Sequence, residues 1–252
     1  MVKKDNNKIL LTKNIVEDTW LKNIYKKNCY IVKNEKYIQF FKDYKNSFFF
    51  LKTLKKIKQN YLFEKKLKFI GTNITFQKNI KLENRYKKKK DINYKFKVDN
   101  SAKKKVLNIA YKNFKFSRFN IDTRLPPSKS NLIKKKTVEN YFHGLRGDKI
   151  YIQFYKKKIS GFCLLIFNNN LARIDLICID KKFSNKGLAK DMIRYVLGNM
   201  KKFNKKKLVV STQTNNIAAV KLYESLKFVP KGILYLYHYI SWKTSKENQN
   251  HS

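Results

Sequence analysis

The chain is poor in glycine, proline and cysteine, and each shortage narrows what it can be. Its 252 residues include 7 glycines, 3 prolines, 3 cysteines and 3 histidines. Cys29, Cys163 and Cys178 form no C-x-x-C pair, so we expect neither a disulfide scaffold nor a cysteine-based zinc site. The histidines add no metal motif, and no metal cofactor is expected. Widely spaced thiols are typical of a reducing compartment, which predicts a cytoplasmic protein.

Long apolar runs are also missing. No uncharged apolar stretch approaches the roughly 20 residues that span a bilayer, and the run Phe48–Leu51 is short and lies among lysines. The basic residues at the N-terminus are followed by no apolar segment, so no signal peptide is expected. The sequence therefore predicts a protein that is not membrane-embedded.

Acidic residues are scarce, and the chain carries a formal net charge of +42. A polyanionic partner, either nucleic acid or an anionic membrane face, is one interpretation of this excess. However, only 6 of the 59 basic residues are arginines, the side chain that reads bases through bidentate contacts. Residue types with A/T-rich codons are abundant throughout. We therefore interpret the charge mainly as a compositional bias and expect no specific nucleic-acid partner.

The first 98 residues alternate short apolar stretches with lysine clusters and carry no chemical motif. The segment Tyr37–Tyr44 fits either a strand or a helix. The other apolar stretches predict strands at Lys8–Leu11, Cys29–Val32, Phe48–Leu51, Leu67–Ile70 and Tyr94–Val98. We predict an N-terminal accessory domain over residues 1–98 and a second domain over residues 99–252.

The second part of the chain alternates its elements regularly. Helix caps at Asp99–Ser101 open a first helix. The double proline Pro126–Pro127 stops any regular element, and Ser130 opens a second helix. The order β, β, β, α, β, α, β follows, with predicted bounds Lys149–Tyr155, Ile159–Phe167, Ala172–Ile179, Gly187–Lys202, Lys207–Thr212, Asn215–Leu226 and Ile233–Ser241.

One motif is an apolar strand that runs into a turn of small residues opening a helix. Small residues let a ligand approach the backbone, and the N–H groups and dipole of a helix N-terminus favour phosphate. An ordinary strand–turn–helix packing contact is the alternative. The candidate ligand-binding residues are Ile177, Cys178 and Ile179 on the strand, and Asn185, Lys186, Gly187, Leu188, Ala189 and Lys190 at the turn.

A second motif places a tyrosine two helical turns after a capping asparagine. Asn216 opens the helix, and Tyr223 lies seven residues later on the same side. A tyrosine in this position is suited to deliver a proton to a group bound at the helix start. A buried core tyrosine is the competing interpretation.

These motifs resemble those of the GNAT N-acetyltransferase superfamily. The helix start at Gly187 and Ala189 matches its (Gln/Arg)-x-x-Gly-x-(Gly/Ala) pattern, with Ser184 in place of the first residue. The segment from Asn216 matches N-x-x-A-x-x-L-Y-x-x-x-G-F except that Lys227 replaces the glycine. The resemblance implies an α/β (α+β) GNAT fold with a mixed, largely antiparallel sheet, plus a smaller N-terminal strand-containing domain.

The resemblance also implies acetyl-CoA as co-substrate and a division of roles. The strand at Ile177–Ile179 would splay from its neighbour and pair its backbone with the pantetheine arm. The turn would hold the pyrophosphate, Asn216 would contact the cofactor, and Tyr223 would protonate the departing thiolate. Ser211 stands where many of these enzymes carry a glutamate base, so that base is missing.

Further residues resemble one GNAT branch, which acetylates nucleotide-linked amino-deoxy sugars in surface polysaccharide synthesis, as the dTDP-fucosamine acetyltransferases do. The resemblance covers about Asn108 to Trp242 and includes the loop Ser117-Arg118-Phe119. Because Arg118 is one of only 6 arginines, it is a candidate phosphate clamp, with an ordinary surface arginine as the alternative. The implied substrate contacts are Ser117, Arg118, Asp122 and His238, with a turn-forming or capping role as the alternative for Asp122.

Asp175 is the second candidate catalytic residue, beside Tyr223. Strict alternation along the strand puts Asp175 on the same face as Ile177 and Ile179. From there it would orient or deprotonate the sugar amine, directly or through water. A structural carboxylate paired with a lysine is the alternative.

Two other functions remain open at this point. The motif from Asn216 to Phe228 is shared with GNAT enzymes that act on protein N-termini or ribosomal proteins. A degenerate GNAT that serves as a basic nucleic-acid-associated module is the second alternative, supported by Ser184, Lys227 and the charge. The sequence does not identify the sugar or nucleotide, and it leaves a homodimer open.

Overall fold

The computed structural model describes residues 14–64, 67–80, 86–87 and 89–242. They form two compact units, one from the residues up to Gly71 together with those from Leu234 onward, and one over Thr72–Ile233. This division differs from the boundary predicted at residue 98, because residues 72–79 and 92–95 pair with strands of the second unit. The predicted strand Lys8–Leu11 lies outside the described residues.

The first unit is a small mixed sheet. Its strands pair in the order β1-β2-β3-β10, parallel between β2 and β3 and antiparallel otherwise. The segment for which strand or helix was left open is a 3₁₀ helix, Glu35–Asp43. The elements are β1 Ile15–Glu17, α1 Thr19–Tyr25, β2 Asn28–Val32, β3 Ser47–Thr53, α2 Gln59–Glu64 and, shared with the second unit, β4 Lys68–Asn79 and β10 Val229–Ile240.

The second unit is a larger mixed sheet with strand order β4-β9-β8-β7-β6-β5. Its pairs are antiparallel except for β8 and β9, which run parallel. The prediction of a mixed, largely antiparallel sheet is confirmed. The remaining elements are β5 Ile92–Lys95, α3 Asn100–Asn113, α4 Arg118–Ile121, α5 Pro127–Phe142, β6 Lys149–Tyr155, β7 Lys158–Asn168, β8 Leu171–Ile179, α6 Leu188–Asn199, β9 Lys207–Gln213 and α7 Ile217–Ser225.

Helices cover both faces of this second sheet and bury two apolar clusters. One cluster joins Val106 of α3 and Val138 of α5 to Phe162 and Leu164 of β7. The other joins α6, α7 and the opposite face of the sheet. We refer to the two faces as the α3–α5 face and the α6–α7 face. β7 and β8 contribute buried side chains to both clusters, so apolar residues predominate on both faces of these strands.

Among the element bounds that differ from the predictions, two have identifiable reasons. α5 begins at Pro127, not at Ser130, because a proline without an N–H is well suited to the first position of a helix. β4 continues to Asn79, whereas a strand over Leu67–Ile70 was predicted. Its second half is polar and partly exposed, so its apolar pattern is weak.

In the portion of the chain that the structure describes, no helix combines the length and apolar character needed to cross a bilayer.

Candidate functional site

Strands β8 and β9 separate at the ends from which the two motifs continue. Their parallel pairing covers Leu171–Ile174 and Lys207–Val210, although β8 continues to Ile179 and β9 to Gln213. Beyond that point β8 remains paired with β7, and β9 with β4. The two neighbouring strands therefore leave an opening between them, as the resemblance implied for the acyl-CoA arm.

A β-bulge lies where the two strands part. In the pairing of β7 with β8, Leu165 lies opposite Ile174 and Leu164 lies opposite Leu176. Asp175 is thus the extra residue on β8. A bulge bends its strand and re-aims the side chains that follow it, so it changes the geometry of β8 at the opening.

The bulge also changes which helices the side chains of β8 face. Ile177 and Ile179 pack into the cluster of the α6–α7 face, whereas Leu176 and Cys178 pack into that of the α3–α5 face. The Asp175 carboxylate contacts α5. The prediction that Asp175 shares a face with Ile177 and Ile179 is therefore wrong, because the extra residue shifts the alternation by one.

α6 begins at a turn that supplies no side-chain cap. Its N-cap Gly187 has φ 69°, and Asn185 has φ 61°. A Cβ at Gly187 would meet no atom within 4 Å, so the space at the helix end is open. Asn185, Lys186 and Gly187 are exposed, and Ala189 and Lys190 complete the turn. The Leu188 side chain is buried, which leaves its backbone N–H as the group that a ligand can use.

A buried carboxylate in α6 anchors this helix start. Asp191 is 2% exposed and accepts hydrogen bonds from the hydroxyls of Tyr94 at 2.6 Å and Tyr86 at 3.0 Å. Gln153 donates to the Tyr94 hydroxyl at 2.7 Å and to the carbonyl of Leu188 at 3.1 Å. Burial, with Asp191 adding to it, raises the pKa of Tyr94. Sequence reasoning missed this network, whose signal was an aspartate among the apolar positions of α6.

Asn216 caps α7 and ties it to β9. Its Oδ1 accepts from the Ala219 N–H at 3.4 Å, and its Nδ2 donates to Thr212 Oγ1 at 3.3 Å. The asparagine is therefore held at the opening between β8 and β9.

Tyr223 is buried on the α6–α7 face. Its side chain is 3% exposed, and its ring lies 5.6 Å from that of Phe76 and 5.7 Å from that of Phe228. Burial, with a smaller contribution from Cys163, raises the pKa of the Tyr223 hydroxyl. The phenol therefore keeps its proton at neutral pH, as a proton donor must. The same burial fits the competing interpretation of a core tyrosine.

α7 ends in a left-handed residue. Lys227 has φ 59°; its N–H donates to the Glu224 carbonyl at 2.8 Å, and that of Phe228 donates to the Tyr223 carbonyl at 3.0 Å. This is the Schellman arrangement, in which glycine is usual at the left-handed position. The lysine in place of glycine strains the backbone at this position.

The residues predicted to bind substrate on α4 and after it have local partners. Ser117 caps α4 by accepting from the Asn120 N–H at 3.3 Å. The Arg118 guanidinium lies 4.2 Å from the ring of Phe119. Asp122 is 0% exposed and accepts from Arg124 at 2.9 and 2.8 Å. Its full burial contradicts a substrate contact for Asp122 and agrees with the turn-forming alternative.

Asp175 is engaged in an ion pair. Arg146 donates from Nε and Nη2 to its two oxygens at 2.8 and 2.9 Å, and the Tyr141 hydroxyl donates at 3.1 Å. Gly147 makes room for this arrangement, because a Cβ there would overlap the Tyr141 ring. Asp175 thus has the structural pairing foreseen as its alternative, with an arginine in place of a lysine.

Lys134 of α5 also lies on the α3–α5 face, and no motif singles it out from its lysine run. It is partly buried, and its Nζ is 5.4 Å from the centre of the Phe114 ring. The pKa of Lys134 is lowered to about 8, with burial as the largest cause; Arg118 and Arg146 contribute to the shift and Asp175 opposes it. Three cationic groups and one carboxylate therefore lie within electrostatic range of each other.

His238 belongs to the first unit. It is 0% exposed and packs edge-on against Phe48 at 4.8 Å and Phe50 at 5.5 Å. The structure does not bring His238 to the surface, which contradicts the predicted substrate contact. Among the described residues, His, Cys, Asp and Glu form no group of three or more that could hold a metal ion.

Comparison with known proteins identifies the second unit. Residues 119–228 match the protein-family model described as "Acetyltransferase (GNAT) family", and no curated protein matches the chain. Similar solved structures include a conserved protein of unknown function from Staphylococcus epidermidis ATCC 12228, with 17% identity, 84% of each chain covered and a TM-score of 0.62.

Two GCN5-related N-acetyltransferases are also similar in structure. The protein from Sphaerobacter thermophilus has 8% identity, a TM-score of 0.57 and coverage of 86% of this chain and 74% of its own. The protein from Kribbella flavida has 8% identity, a TM-score of 0.53 and coverage of 91% and 88%. At these identities the likeness shows the fold. The GNAT fold is thereby confirmed, and residues 119–228 are a GNAT acetyltransferase domain, of the kind that uses acetyl-CoA as co-substrate.

Proposed function

We propose that this GNAT acetyltransferase moves the acetyl group of acetyl-CoA to the amino group of a nucleotide-linked amino-deoxy sugar for surface polysaccharide synthesis. The observation that carries the proposal is the positive charge of the α3–α5 face. There the guanidinium groups of Arg118 and Arg146 lie with Asp175 around Lys134, and Arg118 adds a cation to the Arg146–Asp175 pair. A nucleotide diphosphate is an anionic acceptor that such a face would attract and orient.

The donor is proposed to bind at the opening between β8 and β9. The backbone of Ile177, Cys178 and Ile179 would pair with the pantetheine arm, and one strand N–H would polarise the thioester carbonyl. The N–H groups of Leu188, Ala189 and Lys190 would hold the pyrophosphate. The open space at Gly187 supports this assignment.

The acetyl transfer itself is direct. The sugar amine attacks the thioester carbon, a strand N–H stabilises the oxyanion, and Tyr223 gives its proton to the sulfur as the C–S bond breaks. The Tyr223 hydroxyl carries its proton when the thiolate forms, as this role requires, while its raised pKa makes it a weaker acid than an exposed tyrosine. Asn216, fixed at the start of α7, is proposed to contact the cofactor. Three buried free thiols agree with a reaction in the reducing cytoplasm.

A panel of nucleotide-linked amino sugars, assayed for CoA release, tests the acceptor. We expect turnover with at least one member and a much higher KM when the nucleotide is removed from that member. Turnover with peptide N-termini but not with the sugars would replace the proposal by the protein-acetylating alternative.

Binding of the donor can be tested separately. A ligand that binds only the folded state raises the unfolding midpoint, so acetyl-CoA should raise the thermal midpoint of the protein. No shift, together with tight and salt-sensitive RNA binding, would support the nucleic-acid-associated module instead.

A further inference from the structure

The acetyl transfer needs a group that accepts a proton from the attacking nitrogen. Ser211, at the position of the glutamate base in many GNAT enzymes, is exposed and bonded through its hydroxyl to that of Thr75 at 2.8 Å. Asp175 is held by Arg146, and Asp122 by Arg124. Asp175, the carboxylate first considered for this task, is therefore in an ion pair on the face where the acceptor is proposed to bind, and Asp122 is also paired.

Lys134 lies on the same face of the sheet as Asp175, near the carboxyl end of β8. It shares one row of α5 with Val138 and Tyr141, at spacings of four and seven residues. Its Nζ lies over the ring of Phe114, which directly follows α3. The adjacent Asn113 accepts a hydrogen bond from the Lys181 N–H, just past β8, at 3.1 Å. The amine is thus near the opening between β8 and β9, on the α3–α5 face.

Charged groups from three elements face this amine. Arg118 on α4 and Arg146 in the loop after α5 both disfavour the protonated form of Lys134. Asp175 on β8 favours the protonated form, but it is also paired with Arg146. Glu139 on the same helix pairs with Lys136 at 2.6 Å. With burial as the largest cause, the pKa of Lys134 falls to about 8. At pH 8 the neutral fraction is then roughly a hundredfold larger than for an ordinary lysine.

We infer that Lys134 is the general base of the transfer and accepts the proton of the attacking amine. This inference rests on the proposed acetylation of an amine. The C–N bond forms as the C–S bond breaks, one proton passes from the nitrogen to Lys134 Nζ, and one passes from Tyr223 to the sulfur. Lys134 then loses its proton to solvent and Tyr223 regains one, so the net reaction gives amide and CoA thiol.

The first test compares pH profiles of kcat/KM with any amine that turns over. The wild-type profile should rise with pH and level off above an inflection near 8. Lys134→Arg keeps the charge but has no neutral form at these pH values, so its kcat should fall about a hundredfold and its profile should lose the inflection. Lys136→Arg on the exposed side of α5 is the matched control and should keep the wild-type profile.

The outcomes separate a base from a cation that only binds the acceptor. If Lys134→Arg keeps the kcat and inflection of the wild type and changes KM alone, the inference is overturned. Failure of every nucleotide sugar with turnover of another amine would remove the proposed substrate and leave this test intact.

A second test needs no acceptor. Trace labelling of the wild-type protein with acetic anhydride across pH 6–11, read peptide by peptide, reports the titration of each lysine. Lys134 should label with an apparent pKa near 8, well below the value of about 10.4 for lysine in model peptides. Labelling of Lys134 with that model-peptide pKa would overturn the inference even if no acceptor is found.

Discussion

The two compact units bury different kinds of side chain. Half of the ten buried residues in one described cluster of the first unit are aromatic, from Tyr30 and Phe41 to Tyr239. The clusters of the second unit are mainly aliphatic. Both units bury polar side chains, but the described buried carboxylates, Asp122 and Asp191, lie in the second unit, whereas the first unit buries Ser47, Thr53 and His238. A hydrogen-bonded buried polar group is costly to disturb and fixes geometry. The second unit thus fixes positions with buried charged groups, whereas the first packs aromatic rings.

The largest expected effect contrasts one buried tyrosine in each unit. Tyr223→Phe should lower kcat by about a hundredfold or more, because a positioned proton donor contributes that much, with little change in stability. Tyr237→Phe should instead destabilise the first unit by about 1–2 kcal/mol, since the hydroxyl accepts from the Ile57 N–H at 3.0 Å, and leave kcat near wild type. CoA release and urea unfolding measure the two quantities. Wild-type turnover by Tyr223→Phe would remove Tyr223 from the mechanism.

The next effect tests the buried network of the second unit. Asp191→Asn should lower stability by about 2–3 kcal/mol, because two tyrosine hydroxyls then lose a charged acceptor. It should also raise the KM for acetyl-CoA by loosening the start of α6. The control is Asp99→Asn at the exposed N-cap of α3, where asparagine caps equally well. Equal urea midpoints for the two variants would show that the network does not support the second unit as described.

A smaller effect concerns the helix start itself. Gly187→Ala should cost about 1 kcal/mol for the left-handed backbone and raise the KM for acetyl-CoA about tenfold, equivalent to 1.4 kcal/mol, because the new methyl enters the space proposed for the pyrophosphate. Gly232→Ala is the control: a Cβ there also meets nothing within 4 Å. An unchanged KM in Gly187→Ala would place the pyrophosphate elsewhere.

The smallest effect should be the same in both units. Lys26 and Lys227 follow helices α1 and α7 with φ 58° and 59°. Replacing either lysine by glycine should raise stability by about 1 kcal/mol without changing kcat, because the strain is local to the backbone. Urea unfolding of the two single variants checks this. A gain in stability for only one of the two variants would mean that the packing around the residue, and not the backbone strain alone, determines the effect.

Much of the second unit could be predicted from the sequence, because local patterns specify its helix caps and turns. The cap at Asp99, the turn at Gly187 and the helix from Asn216 each carry their signal within a few residues. Local patterns did not predict the polar half of β4, which is determined by its pairing with another strand. They also did not predict the start of α5 at Pro127, because proline is well suited to the first position of a helix.

The parts of the site that the sequence did not predict depend on long-range contacts. The pairing of Asp175 with Arg146 joins residues that are 29 apart, and Asp191 meets Tyr94 across 97 positions. Lys134 differs from Lys135 and Lys136 only through the neighbours that the fold brings to it. No periodicity or motif carries such information.

The bulge in β8 has a consequence for insertions and deletions. Because β8 is apolar on both faces, its hydrophobic pattern alone would permit a shift of one residue against β7. Two features oppose the shift: Asp175 is anchored by Arg146, and Gly161 accommodates the Cys178 carbonyl where a Cβ would overlap it. The ion pair thus selects one of two near-equivalent alignments. Deleting Asp175 would leave Leu176 and Ile177 on their present faces, because regular alternation from Ile174 then places them there, and would remove only the bulge and its ion pair.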